Sequence, residues 1–188
     1  MKVKYFLLFL IPAFIILLNL HLLIFNYNLY KFENKDVNEN LLNYLNNKEE
    51  LNFNYTEIEL IHLQDVKSLI KILGMIVYVI GFLLLLILIF NKEEINNILI
   101  ISGLITIGVI FILFLLNFSF LFTKFHEILF TNNYWLLNEN SLLIKTYPLE
   151  FFINFFKRLI LNITITSIIL IVIGLLKNVY TKYKSGNS

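Results

Sequence analysis

Apolar positions in this chain gather into four long runs, Tyr5–Phe25, Leu69–Phe90, Ile98–Phe122 and Leu159–Leu176. Crossing a hydrocarbon core about 30 Å thick takes about 20 apolar residues in a helix. Lipid supplies no water to satisfy backbone N–H and C=O groups, so each run must form a helix. The pattern predicts an all-α membrane bundle: four transmembrane helices at about 5–25, 69–90, 98–122 and 159–176, in a single integral membrane domain covering 1–188. Lys2 and Lys4 precede the first run as in a signal peptide, but the run is long and no small-residue cleavage site follows it, so an uncleaved anchor is expected.

The polar segments between the runs also carry pattern. Residues 26–68 and 123–158 form two outer loops, and Asn91–Asn97 a tight inner turn. Tyr27, Leu29, Tyr30 and Phe32 suggest a short extended piece. Over Asp36–Leu45 the residues Val37, Leu41, Leu42, Tyr44 and Leu45 fall on one helical face, with Asp36 or Asn34 as cap. Leu51–Glu59, with Phe53 and Tyr55, alternates like a strand, and from Leu60 the period turns helical. The first outer loop is therefore expected to be a small folded extracytoplasmic cap, a short helix with short strands. In the second, the third helix continues as Phe122–Phe130 until Thr131-Asn132-Asn133-Tyr134-Trp135 breaks it. Trp135 suits a water–lipid interface. Pro148 opens a helix over Leu149–Arg158, whose Phe151, Phe152, Phe155 and Phe156 share a side expected to lie on lipid or insert at the interface.

Composition agrees with a membrane protein: 59% hydrophobic residues, 19 Phe, 15% charged residues and a mean hydropathy of +0.78. A net charge of +2 gives no reason to expect a nucleic-acid partner. With no Cys there is no disulfide framework, thiol nucleophile or thiolate metal site. Lys2, Lys4, Lys92, Lys177, Lys182 and Lys184 would lie on the side of the termini with only Glu93 and Glu94 as acids, whereas the first outer loop holds eight acids. Basic residues collect on the cytoplasmic side, so both termini are expected there. Lys157 and Arg158 run against that count.

Histidine carries the candidate chemistry, because imidazole exchanges protons near neutral pH. The chain has three: His21, His62 and His126. On a helix His62 shares a face with Glu59 and Asp65, carboxylates that can orient an imidazole and raise its pKa; the alternative is an ordinary interfacial histidine. His126-Glu127 lies in an aromatic stretch, where an aromatic–histidine belt is the plain alternative. His126-Glu127-Ile128-Leu129-Phe130 is not H-E-x-x-H, so a zinc hydrolase is weakly supported, although both histidines and one carboxylate would make three ligands. His21, with Asn19, reads as a packing or headgroup residue. Asn162 and Thr166 share a face and suit helix–helix hydrogen bonds. There is no G-x-S-x-G and no glycine-rich phosphate loop. Gly74 and Gly81 suit close helix packing.

Two stretches together resemble a known family. Glu59-x-x-His62-Leu63-x-Asp65-Val66-Lys67-x-Leu69 resembles the first signature of the Lit family, the lipoprotein intramolecular transacylases of low-GC Gram-positive bacteria. Phe125-His126, Phe130-Thr131-Asn132-x-x-Trp135 and Leu143-Ile144-x-x-Tyr147-Pro148-x-x-Phe151-Phe152 resemble the second. Asn133 and Ser141 stand where the family usually carries acidic residues. The resemblance implies a multi-pass cell-membrane enzyme whose substrate is a diacylglyceryl lipoprotein. One acyl chain moves from the glycerol to the α-amine of the lipidated N-terminal cysteine, giving a lyso-form lipoprotein. It implies His62 and His126 as catalytic residues. Glu59, Asp65, Lys67, Asn132 and Trp135 become candidates for orienting them or placing substrate. No cofactor or metal is expected; lipoprotein and membrane lipids are the expected partners. Two other readings stand beside this one: a non-enzymatic membrane subunit or lipid-binding protein, and a metal-dependent lipid or peptide hydrolase.

Overall fold

The computed structural model describes residues 2–26, 34–90 and 95–186. The extended piece expected at 27–32 lies outside them. The described residues form α1 (Lys2–Ile24), α2 (Lys35–Leu45), α3 (Glu57–Phe90), α4 (Ile95–Leu115), α5 (Phe118–Leu129), α6 (Leu142–Thr146) and α7 (Leu149–Gly186). Four of these, α1, α3, α4 and α7, are long and apolar enough to cross a membrane.

Three boundaries differ from the sequence expectation, each for a local reason. Leu51–Glu59 is not a strand, and no strand occurs among the described residues. Thr56 and Glu59 form a capping box instead: Thr56 N–H donates to the Glu59 carboxylate at 2.8 Å, and Glu59 N–H to the Thr56 hydroxyl at 3.4 Å. This reciprocal pairing satisfies free donors at a helix start, so α3 begins at Glu57. The third run breaks at Leu116-Asn117, where the Asn117 side chain accepts from Phe120 N–H at 3.2 Å and starts α5. The fourth helix is the interior of α7, continuous for 38 residues from the turn after Pro148. Its phenylalanines are packed rather than left to lipid: Phe152 meets Phe122 at 5.2 Å and Phe156 meets Phe118 at 5.5 Å between ring centres.

The 34 residues of α3 rise about 50 Å at about 1.5 Å each, well beyond the hydrocarbon core. Glu57, Glu59, His62, Asp65 and Lys67 crowd its first three turns. Those turns precede the uninterrupted apolar stretch that begins after Lys71.

The chain forms two compact units. One comprises 1–20, 75–115 and 159–188, the other 21–74 and 116–158, close to the two expected outer loops. The first is an apolar core of Leu7, Leu10, Ile11, Ile15, Leu84, Ile98, Ile110 and Ile163. Within it α4 and α7 approach so closely that a Cβ on Gly103 would stand 2.6 Å from the Ile171 side chain, and one on Gly174 2.7 Å from the Asn96 carbonyl. Gly81 likewise faces Phe14. Asn19 and Thr166 join α1 to α7 at 3.3 Å.

The second unit packs α2, the start of α3 and α6 around Val37, Leu41, Tyr44, Tyr55, Leu63, Leu143 and Tyr147. Helix α2 matches its predicted face. Asn34 is its N-cap residue, in left-handed conformation and without a side-chain cap bond. It ends with Asn47 at φ 57° and the bonds Asn47 N–H to Tyr44 O and Lys48 N–H to Asn43 O, the Schellman arrangement that asparagine tolerates. Buried Asn40 then holds the following segment, accepting from Asn52 N–H and donating to the Glu50 carbonyl.

Candidate active site

The two histidines meet inside the second unit. His62 stands on the second turn of α3 and His126 on the third turn of α5, with ring centres 6.2 Å apart and planes inclined by 32°. His126 is 9% exposed. Its Nδ1 lies 2.7 Å from the Phe122 carbonyl oxygen. A carbonyl can only accept, so Nδ1 carries the proton and the neutral ring keeps its lone pair on Nε2. Burial holds the His126 pKa below the usual imidazole value, with the Phe122 hydrogen bond opposing in part. Burial pushes His62 further, to about 4, helped by His126 and opposed by Asp65. Both rings are therefore neutral at physiological pH: each can accept a proton at one nitrogen and donate from the other. Among the described residues His62 Nδ1 is buried without a hydrogen-bond partner, so this ring is held by its neighbours, Phe130 at 5.3 Å among them.

Aromatic rings surround His126: Phe122 at 4.3 Å, Trp135 at 4.9 Å, Phe125 at 5.4 Å and Phe130 at 5.6 Å. The signal for part of this was in the sequence. Phe118, Phe122, His126 and Phe130 follow one another at four-residue steps, a single helical stripe.

The candidate orienting residues are distributed less simply. Glu59 is 1% exposed, and both its oxygens are engaged away from His62. One accepts from Thr56 N–H and hydroxyl, the other from Leu143 N–H at 2.8 Å. Burial would raise its pKa, but hydrogen bonds from the backbone of Leu143, Thr56 and Leu142 outweigh that and hold it below the ordinary carboxylate value. Asp65 acts electrostatically on His62, while its oxygen accepts from the Asn132 amide at 2.8 Å. Asn132 in turn accepts from Tyr134 N–H at 3.0 Å, which shapes the turn leading to Trp135. Lys67 lies 3.8 Å over the Tyr44 ring and faces α2. Ser141 caps α6 by accepting from Ile144 N–H at 3.3 Å, a role that aspartate fills equally well. His21 packs away from the pair, its ring 3.2 Å from where a Cβ on Gly74 would stand.

Two imidazole nitrogens do not make a three-ligand zinc site, and no group of three or more His, Cys, Asp or Glu side chains able to hold a metal occurs among the described residues. The donor set suits proton transfer between neutral bases.

The chain is also similar to known proteins. The chain is similar in structure to the membrane-integral lipoprotein intramolecular transacylase Lit from Bacillus cereus: TM-score 0.79, 21% identity, with 98% of this chain and 99% of that one covered. Two structures of that protein carrying a single histidine replacement, to arginine or to alanine, give TM-scores of 0.71 and 0.70 at 20% and 19% identity. The first covers 100% of this chain and 96% of that one, the second 100% and 97%. No curated protein matches the chain significantly. At these identities the structural likeness is one of fold, and with four apolar helices it makes this a multi-pass membrane protein. The sequence profile described as lipoprotein intramolecular transacylase Lit matches residues 28–152, most of the chain and all of the histidine site, and the chain belongs to that family.

Proposed function

We propose that this protein moves an acyl chain within a diacylglyceryl lipoprotein, from the glycerol ester to the α-amino group of the lipidated N-terminal cysteine. The observation that carries the proposal is the facing pair of neutral imidazoles, His62 and His126, brought together from α3 and α5.

The chemistry follows from what each group must do. The α-amine nitrogen attacks the ester carbonyl carbon, the C=O π pair moves onto oxygen, and the nitrogen sheds a proton to His126 Nε2, whose lone pair the Phe122 hydrogen bond leaves available. His62 donates an N–H to the developing oxyanion or the departing glycerol oxygen. As the C–O bond to glycerol breaks, that oxygen takes up a proton from the imidazolium. An N-acyl bond replaces an O-acyl bond, with no water consumed and no acyl-enzyme needed. Nucleophile and ester belong to one substrate, so alignment alone supplies effective molarities of about 10⁵ M or more. Asp65 and Asn132 position the turn behind the rings, and Glu59 positions α3 and α6; Lys67 packs on α2. The basic-residue distribution supports cytoplasmic termini and an extracytoplasmic site.

Replacing His62 or His126 by alanine should cut product by about 10²-fold or more while protein levels hold. N-terminal mass spectra of lipoproteins from cells expressing each variant read this directly. Normal lyso-form product from both variants would refute the mechanism and favour a binding role.

A further inference from the structure

General bases among histidines are commonly steadied by a carboxylate behind the ring, which offsets the charge gained with the proton. Among the described residues none stands behind His126. The position behind its Nδ1 is filled by the Phe122 carbonyl. The described groups that titrate near it are few. From α3, His62 faces it and Asp65 gives an oxygen to Asn132. On its own helix, Lys124 and Glu127 are exposed and pair with each other. The 130–135 turn brings no charged side chain. On the α7 side the contact is Phe152 against Phe122. A proton arriving on Nε2 therefore creates a cation in an apolar pocket whose walls are aromatic.

Among those walls Trp135 is the strongest cation acceptor by ring type. Its ring centre lies 4.9 Å from that of His126 with the planes inclined by 31°. The indole thus presents its face to the imidazole rather than its edge. The neighbouring turn is fixed from the other side by the Asp65–Asn132–Tyr134 chain of hydrogen bonds. We infer that the Trp135 indole is the positioning residue that stabilises the imidazolium formed when His126 takes the substrate proton, doing with a π face what a carboxylate does elsewhere. The inference rests on the proposed role of His126 as base and adds the group that makes that base workable in a dry site.

The test exploits a simple fact: Trp135 is the single tryptophan of the chain. Growth on monofluorotryptophan or tetrafluorotryptophan changes this ring alone, draining the π face of electron density with little change of shape. Two readouts are taken on the intact protein: the titration midpoint of the His126 ring nitrogens by NMR, and the rate and KM for a synthetic diacylated lipopeptide. The expected result is a midpoint that falls with each step of fluorination. The tetrafluoro protein should be about 2- to 30-fold slower, with little change in KM. Trp135→Phe, which keeps a π face, should retain more rate than Trp135→Leu. An unchanged midpoint and rate across the fluorinated series would overturn the inference and assign Trp135 to packing alone. The titration needs no turnover. Full activity of His126→Ala would instead sink the base assignment, whatever the midpoints do.

Discussion

The two compact units of this protein differ in how far their polar side chains reach along the sequence. In the unit built from 1–20, 75–115 and 159–188, polar side chains mostly look after themselves. Thr106 donates to the Ser102 carbonyl and Ser167 to the Ile163 carbonyl, each bond 2.8 Å long and spanning one turn of its own helix, while Asn19 and Thr166 supply a link between helices. The close approach of α4 and α7 is made by glycine and shape. In the unit built from 21–74 and 116–158, local bonds such as His126 to Phe122 are joined by polar links that reach far across the sequence: Glu59 to Leu143, Asp65 to Asn132. Local bonds make a helix tolerable in lipid but do not say what it packs against. Distant bonds specify which segments meet, and a site assembled from two loops needs that specification.

The comparison breaks most easily at Glu59. Glu59→Ala removes the acceptor for Thr56 N–H, Thr56 hydroxyl and Leu143 N–H together. We expect a loss of about 2–4 kcal/mol in the second unit. Amide hydrogen exchange should show faster exchange at 56–60 and 142–147, with the first unit's exchange unchanged. Uniform loosening of both units would mean that the polar links are not the unit's specific cement.

The histidines sharpen the comparison through pH. The substrate's α-amine binds a proton below about pH 8, so the logarithm of the rate falls with a slope of about one there. His126 is held below the usual imidazole value by burial, so its own protonation enters only at more acid pH. The slope should steepen to two only on the acid side of the ordinary imidazole value, and not above it. A break above that pH in a lipopeptide assay would mean that the base is not a buried imidazole. A smaller effect comes from Gly103→Ala, whose Cβ would collide with Ile171 and with the Ser167 carbonyl. A cost of about 1–3 kcal/mol in thermal unfolding is expected, whereas Gly108→Ala, with nothing among the described residues within 4 Å, should carry no steric cost. The smallest effect should come from Ser167→Ala, within about 0.5 kcal/mol, because its hydroxyl donates to a carbonyl of its own helix.

Much of this architecture was legible in the chain. Uninterrupted apolar runs gave four crossing helices, the Val37–Leu45 face gave α2, and Pro148 marked the start of α7. His62 and His126 were singled out together by the family resemblance, and nothing in the periodicity pointed to their meeting. What was harder to read were the joints. Phe53 and Tyr55 made 51–59 look like a strand, although Thr56-x-x-Glu59 is a helix-start signature written in the same residues. Asn117 sits inside an apolar run, where its capping role leaves no trace in hydropathy. Glu59 looked like an orienting group for His62 because both share a helical face. Its actual partners lie on its own N-terminus and on a segment that a helical wheel cannot display.

The carboxylate of Glu59 also sets an order of assembly during synthesis. One of its oxygens is matched as soon as Thr56 and its neighbours coil, but the other waits for the amide of Leu143. A nascent chain halted on the ribosome before that residue has the beginnings of α3 and nothing to lock them, so the segment carrying α2 and the start of α3 should stay open to proteases until Leu143 has been made.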